Sequence, residues 1–354
     1  MSGSAMEGTC LARLVRMAIP LCKAAGRICR RSGPGAPPTY ADWQMATLMV
    51  VAVLARRKSK SAQYRYLFDR RKGLMKWLGL RTFPGRSTYF DRYRHAYGLF
   101  QAGVIEQGHR AIGDGLVDPE VVAVDKSLLH ARGPSRHQRN GCKRKRFRGT
   151  DDEARWGYSD HHGWVYGYSF EVTVTATGGT LVFPLAVSVG TGSESEARSF
   201  PQKVRDLPPE TRYVTADAGY DTNANGQAVE YGEQDQPTGR RLVCPLVSRA
   251  GKPSVGKTVH RGQRERYRRR RASRLAFFKS RRGRRIYARR KKTVEPFIEW
   301  FKAKFELHTC VWHRGLENNA TQLTVAMFAY QLLVRYHCRK GGTNGAIQWI
   351  LDTI

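Results

Sequence analysis

Between residues 164 and 175, the large side chains Trp164, Tyr166, Tyr168, Phe170, Val172 and Val174 alternate with Gly167, Ser169, Glu171, Thr173 and Thr175. Period two marks a strand with one face buried and one in water. Gly178-Gly179 then offers the positive φ of a two-residue hairpin turn, and residues 181–189 return as the partner strand. That hairpin commits the middle of the chain to a sheet.

Three shorter strands are read around it. Val121-Val122-Ala123-Val124 is a short buried strand that ends directly in Asp125, and residues 212–216 form another that ends in Asp217. Residues 242–246 are a third, with Pro245 marking its end or a sheet edge. Helical signals alternate with these strands. Ser193-Glu194-Ser195-Glu196 is a capping box opening a helix to about Leu207, and Pro201 inside it calls for a kink or a later start. Asp221-Thr222 can cap a helix over 224–231. A long helix is expected from Thr293 or earlier to Leu307, and the apolar content of 318–337 marks a core helix. This order gives an α/β fold.

Ahead of the sheet the chain reads as helical. Residues 1–32 are Arg-rich with the single acid Glu7, a composition that mimics a transit peptide, while a secretory h-region and cleavage pattern are absent. Residues 33–39, rich in Gly and Pro, read as a linker. Residues 43–54 are apolar almost all round and predict a buried helix. A second helix is expected over 62–78 with Gly79 as its stop, and a third after Pro84-Gly85-Arg86, with Ser87 as N-cap and Tyr89, Phe90, Tyr93, Tyr97 and Phe100 at helical spacing. Arg92, Arg94 and His95 on the third leave two readings open, a helix-turn-helix reader of DNA or a small helical domain with a basic surface. The expected divisions are 1–39, a basic segment and linker; 40–115, a helical and possible DNA-binding domain; 116–340, a catalytic domain; and 341–354, a tail.

Charge narrows the partner. Lys and Arg number 62 against 29 Asp and Glu, a net +33 over 354 residues. That excess strains a compact fold unless a polyanion shares the surface, so nucleic acid is the expected partner. The longest apolar run, 45–55, falls short of the roughly 20 residues a membrane span needs, which argues against a membrane partner. Seven cysteines, odd in number and without a C-x-x-C pair, argue against a zinc ribbon or a disulfide framework and for reduced thiols. The charge is concentrated at 261–292, which holds seventeen Lys or Arg and one acid, Glu265.

Glu295 follows that run. With Asp125 and Asp217 at strand ends, it completes three acids on three elements, and open α/β sheets place ligands at the carboxyl ends of strands. Three hard oxygen donors suit Mg²⁺ or Mn²⁺, and two such ions serve in-line phosphodiester displacement. Each acid also has a plainer reading. Asp125 can be a strand terminator, Asp217 competes with Asp221 in the same loop, and Glu295 can pair with Lys291 or Lys292 on the helix surface.

The set as a whole resembles the DDE transposases of bacterial insertion sequences. The resemblance rests on Val124-Asp125-Lys126-Ser127, His162-Gly163-Trp164-Val165-Tyr166-Gly167-Tyr168, Thr215-Ala216-Asp217-Ala218-Gly219-Tyr220-Asp221, Arg290-Lys291-Lys292-Thr293-Val294-Glu295-Pro296 and Arg314-Gly315-Leu316-Glu317-Asn318. It covers about 40–339 and implies an RNase H-like mixed sheet flanked by helices, with a helical domain ahead of it. It also implies catalytic, metal-binding roles for Asp125, Asp217 and Glu295, with two Mg²⁺ or Mn²⁺ ions. Many members carry Tyr, two residues, Arg, three residues, Glu, six residues, Lys. Here Glu295 and Lys302 keep their spacing, Lys291 stands where the arginine is expected, and Tyr287 and Arg290 each lie one place upstream. By this resemblance Tyr287, Arg290, Lys291 and Lys302 are the DNA contacts, and Lys302 shares a helical face with Glu295.

The implied protein binds terminal inverted repeats, cleaves at element ends and joins the 3′-ends to target DNA, working as a homodimer in the bacterial cytoplasm at the nucleoid. Two alternatives stand beside it: an RNase H-fold nuclease without strand transfer, and a basic nucleic-acid-binding protein without catalysis, which the 261–292 run also fits.

Overall fold

The computed structural model describes residues 9–29, 38–135, 148–160, 163–178, 181–194, 196–232, 235–246 and 261–354. The alternating run is β3 (Gly163–Thr175), the central strand of a six-stranded mixed sheet. β1 (Val121–His130) pairs antiparallel with it, Val122 opposite Thr175 and His130 opposite Gly167. β4 (Pro184–Thr191) and the short β2 (Arg155–Ser159) also run antiparallel to β3. Beyond β1 the sheet turns parallel, with β5 (Tyr213–Thr215) beside β1 and β6 (Arg241–Val243) beside β5. This is the expected RNase H-like mixed sheet, behind a helical N-terminal region.

Two strand expectations are corrected. β1 does not end at Asp125 but continues to His130, because Lys126 through His130 keep pairing with β3 and Ser127, Leu128 and Leu129 are buried. β3 is not half-wet: every residue from 165 to 175 is buried. Phe170 packs on Phe301 of α10 (Arg281–Lys304), while on the other face Glu171 bonds Ser199 and Lys203 of α7 (Glu196–Arg205). The polar half of the alternation therefore lies under a helix rather than in water. Gly179 and Ser195, used in the turn and capping-box readings, lie outside the described residues, as do 136–147 of the basic loop.

The helical region begins earlier than expected. α1 (Cys10–Ile28) turns Leu11, Leu14, Val15, Ala18, Cys22 and Ala25 into the core, and Thr9 caps it by accepting from Ala12 N. It packs on α2 (Asp42–Leu54) and α6 (Tyr97–Gly113). The helix expected over 62–78 is two helices, α3 (Lys60–Asp69) and α4 (Arg71–Leu78), with Gly79 at φ 63° as the stop. Ser87 does not cap the third; Gly85 precedes α5 (Arg86–Arg94), which breaks before α6. Its outward arginines are engaged: Arg92 Nη1 reaches Asp42 Oδ1 at 2.7 Å and Arg94 lies 3.9 Å from Glu317.

α11 (Leu316–Arg339) is buried along nearly its whole length and joins the two regions, touching α2, α5, α6 and β4. The tail includes α12 (Gln348–Asp352), whose Ile350 and Leu351 are buried. No helix among the described residues is long and apolar enough to cross a membrane. The basic run is helical: α9 (Arg261–Lys279) turns back at Ser280 into α10. Ser280 Oγ accepts from Gly283 N at 3.1 Å, and a Cβ on Gly283 would lie 2.0 Å from the Phe277 carbonyl oxygen, so only glycine lets the helices meet this closely.

Candidate active site

Parallel pairing of β1 and β5 sets Ala123 beside Thr215. Two residues further along each chain stand Asp125 and Asp217, so the register brings the first two acids together at the carboxyl end of the short β5. Asp217 leaves the strand with an extended backbone, and its Oδ1 accepts from Gly219 N at 2.8 Å, opening the 3-10 turn Ala218–Tyr220. Of the Asp221-Thr222 pair expected to cap the next helix, the second residue does so. Thr222 caps α8 (Asn223–Glu230) through Asn225 N, while Asp221 is 6 % exposed and pairs with Arg271 of α9 at 2.8 Å. The rival to Asp217 is thus occupied in holding the basic helix to the sheet.

α10 crosses β1, β3 and β5 with Ile286, Arg290, Thr293, Val294 and Phe297 turned inward. Arg290 is 6 % exposed, and its two terminal nitrogens reach different acids: Nη2 lies 2.8 Å from Asp125 Oδ2 and Nη1 lies 2.9 Å from Glu295 Oε1. The third acid is therefore linked to the first through one guanidinium, and its ion pair is with Arg290 rather than with Lys291 or Lys292.

The electrostatics follow from burial. Desolvation pushes the Asp125 carboxyl from 3.8 up to about 6; Arg290 opposes this and Asp217 adds to it. For Arg290 burial works against the charge, but Asp125, Asp217, Tyr287 and Glu295 outweigh it and hold the guanidinium above its ordinary value. Tyr287 is half-buried edge-on to Phe278 at 5.2 Å, and burial raises its hydroxyl, with Arg290 lowering and Asp217 raising it. It stands within the influence of the same acids.

The other signature residues are placed differently. Lys291 and Lys292 are exposed beside Glu295. Lys302 is 4 % exposed and donates to Glu299 Oε1 at 2.9 Å. On the opposite face from Asp125, Glu171 and Lys203 form a buried ion pair that the alternation pattern hid, since it assigned Glu171 to solvent.

Among the described residues no three Asp, Glu, His or Cys side chains converge as a ready metal cage. The donor chemistry nevertheless fits a hard divalent cation. One carboxylate on β1, largely buried and reluctant to ionise, a second just past β5, and a third joined to the first by a positive charge are oxygen donors suited to a cation.

The site therefore combines a mixed sheet, two acids just past a parallel strand pairing and a third acid on a crossing helix. The chain belongs to the transposase DDE domain family, whose profile matches residues 117–332. No curated protein matches it. Among solved structures it is similar to a piggyBac transposase in a synaptic complex with hairpin DNA, at 10 % identity and TM-score 0.37, covering 96 % of this chain and 76 % of that one.

Proposed function

We propose that the chain is a DNA transposase that cleaves at the ends of its own element and joins the freed 3′-ends to target DNA, with Asp125, Asp217 and Glu295 as the reacting-site acids. The observation that carries this is the parallel register of β1 and β5, which leaves Asp125 and Asp217 each two residues past the Ala123–Thr215 pair, with Glu295 joined to Asp125 through Arg290. Mg²⁺ or Mn²⁺, when bound by these acids, would activate a water or a 3′-hydroxyl and neutralise the leaving oxygen. The chain itself holds Asp125 within the sheet, fixes Asp217 through the Gly219 amide, and presents Glu295, 46 % exposed, at the surface where a phosphate arrives.

The surface beside the acids supports DNA as the substrate. Arg284, Arg285, Lys291 and Lys292 of α10 and Arg268 and Arg269 of α9 are exposed, and on α10 these cations share the exposed side of the helix with Glu295. Lys291 is the signature residue best placed for a phosphate. Lys302 serves there only if it leaves Glu299. Assembly of two copies on two terminal inverted repeats belongs to the same reading.

Asp125→Ala, Asp217→Ala and Glu295→Ala are each expected to abolish Mg²⁺-dependent cleavage of a duplex carrying the element end while leaving its binding largely intact. Cleavage that survives all three substitutions would remove the assignment. Inverted repeats bounded by short duplications beside the gene are expected, and set transposition apart from simple nuclease action.

A further inference from the structure

The link between Glu295 and Arg290 is not a by-product of helix geometry. On a helix surface partners stand three or four residues apart, which for Glu295 means Lys292 and Lys291. Glu295 instead meets a residue five positions back, on the sheet-facing side of α10. Arg290 in turn uses Nη2 for Asp125 and Nη1 for Glu295, one acid per nitrogen, where a structural pair commonly places both nitrogens on one carboxylate. Its Nε is buried with no acceptor among the described residues, so one donor of this fork is left for an incoming oxygen. Asp217 adds to its positive character without a direct bond.

From this geometry we infer that Arg290 is a positioning residue that acts as a tethered cation, joining Asp125 to Glu295 while no divalent ion is bound and releasing at least one of them when an ion enters. The inference rests on the three acids being the metal ligands, as proposed above. A guanidinium in contact with two of three ligands repels a divalent ion and occupies oxygens the ion needs. The same contact keeps an exposed helical glutamate directed at the sheet before the ion arrives. Arg290 therefore weakens metal binding in the absence of DNA, and its spare Nε–H suits a phosphate oxygen as the destination once it lets go.

Mn²⁺ titration of the full chain without DNA, followed by electron paramagnetic resonance and by calorimetry, tests this. Arg290→Gln removes the charge and keeps polarity, and is expected to bind Mn²⁺ about tenfold more tightly than the wild type. Arg290→Lys keeps the charge but cannot span both acids, and its affinity is expected to lie between the two. Equal or weaker Mn²⁺ binding in Arg290→Gln overturns the inference. Should Arg290→Gln not fold, wild-type affinity in Arg290→Lys overturns it instead. Asp125→Asn, Asp217→Asn and Glu295→Gln separate the two layers. If Mn²⁺ binds all three as it binds the wild type, the acids are not the ligands and the proposed site itself fails; if they lose binding while Arg290→Gln gains none, only the role of Arg290 fails.

Discussion

Asp125 is a charge the fold does not want. Burial raises its carboxyl from 3.8 to about 6, even with Arg290 at 2.8 Å. The folded chain thus holds this proton more tightly than the unfolded chain. Below 3.8 both states are protonated and Asp125 is neutral in the balance. Between 3.8 and about 6 the folded state carries more protons, so stability falls as pH rises, and above about 6 the loss is complete. Each tenfold in a proton equilibrium is worth about 1.4 kcal/mol, so the ionised carboxylate costs the fold about 3 kcal/mol at neutral pH. Asp125→Asn mimics the protonated acid and removes that dependence. In urea unfolding with EDTA present, the variant is expected to match the wild type near pH 4 and to exceed it by about 3 kcal/mol at pH 8. Taking the difference between the two proteins cancels the other titrating groups. A difference that stays flat from pH 4 to 8, or shrinks, would refute the argument that burial is what raises Asp125.

The other predictions concern pairing and contact. Lys203→Met leaves Glu171, 4 % exposed, with the Ser199 hydroxyl as its remaining hydrogen-bond donor from α7 among the described residues, and should cost about 3 to 5 kcal/mol in urea unfolding. A change within a few tenths would mean that the pair contributes little. Lys291→Ala removes an exposed charge beside Glu295 and should flatten the salt dependence of DNA binding by about 0.9 in the log–log slope. Lys302→Ala, buried on Glu299, should leave that slope unchanged, and the reverse pattern would show that Lys302 moves out to the DNA.

How much of this was legible depends on whether the determining interaction is local. α2 and α11 could be read directly, because a helix apolar all round has nowhere to go but the core. Gly79 could be read as a stop because its positive φ is a property of that residue alone. α1 carried its signal too, with Leu11, Leu14, Val15, Ala18, Cys22 and Ala25 at helical spacing, but the Arg-rich composition of 1–32 concealed it. The break at Arg70 had no local mark, neither Gly nor Pro; there the amide turns to the Leu67 carbonyl. The alternation of β3 fixed which residues share a face, yet it was silent on whether α7 would cover the polar face. Similarly, the local strand signal of β1 stops at Asp125-Lys126 because a charged pair resembles a turn, whereas Lys126 lies opposite Glu171 within the ladder.

The site divides along the same line. Each acid could be placed on its element, and the parallel register explains why Asp125 and Asp217 become neighbours. What the chain order left hidden is the meaning of the one-place displacement of Arg290. Successive helical residues turn by about 100°. A residue four places before Glu295 stands about 40° from it, on the same surface, and Lys291 does so, exposed. A residue five places before stands about 140° away, on the face that α10 lays against β1. Moving the arginine one position upstream therefore exchanges a surface contact for a buried one, and brings a cation to Asp125 that position 291 would keep in solvent. The buried carboxylate near pH 6 and the displaced arginine are then two parts of one arrangement: the acid is tolerable in the fold because the guanidinium lies inside with it, and the long side chain still extends to Glu295 at the rim.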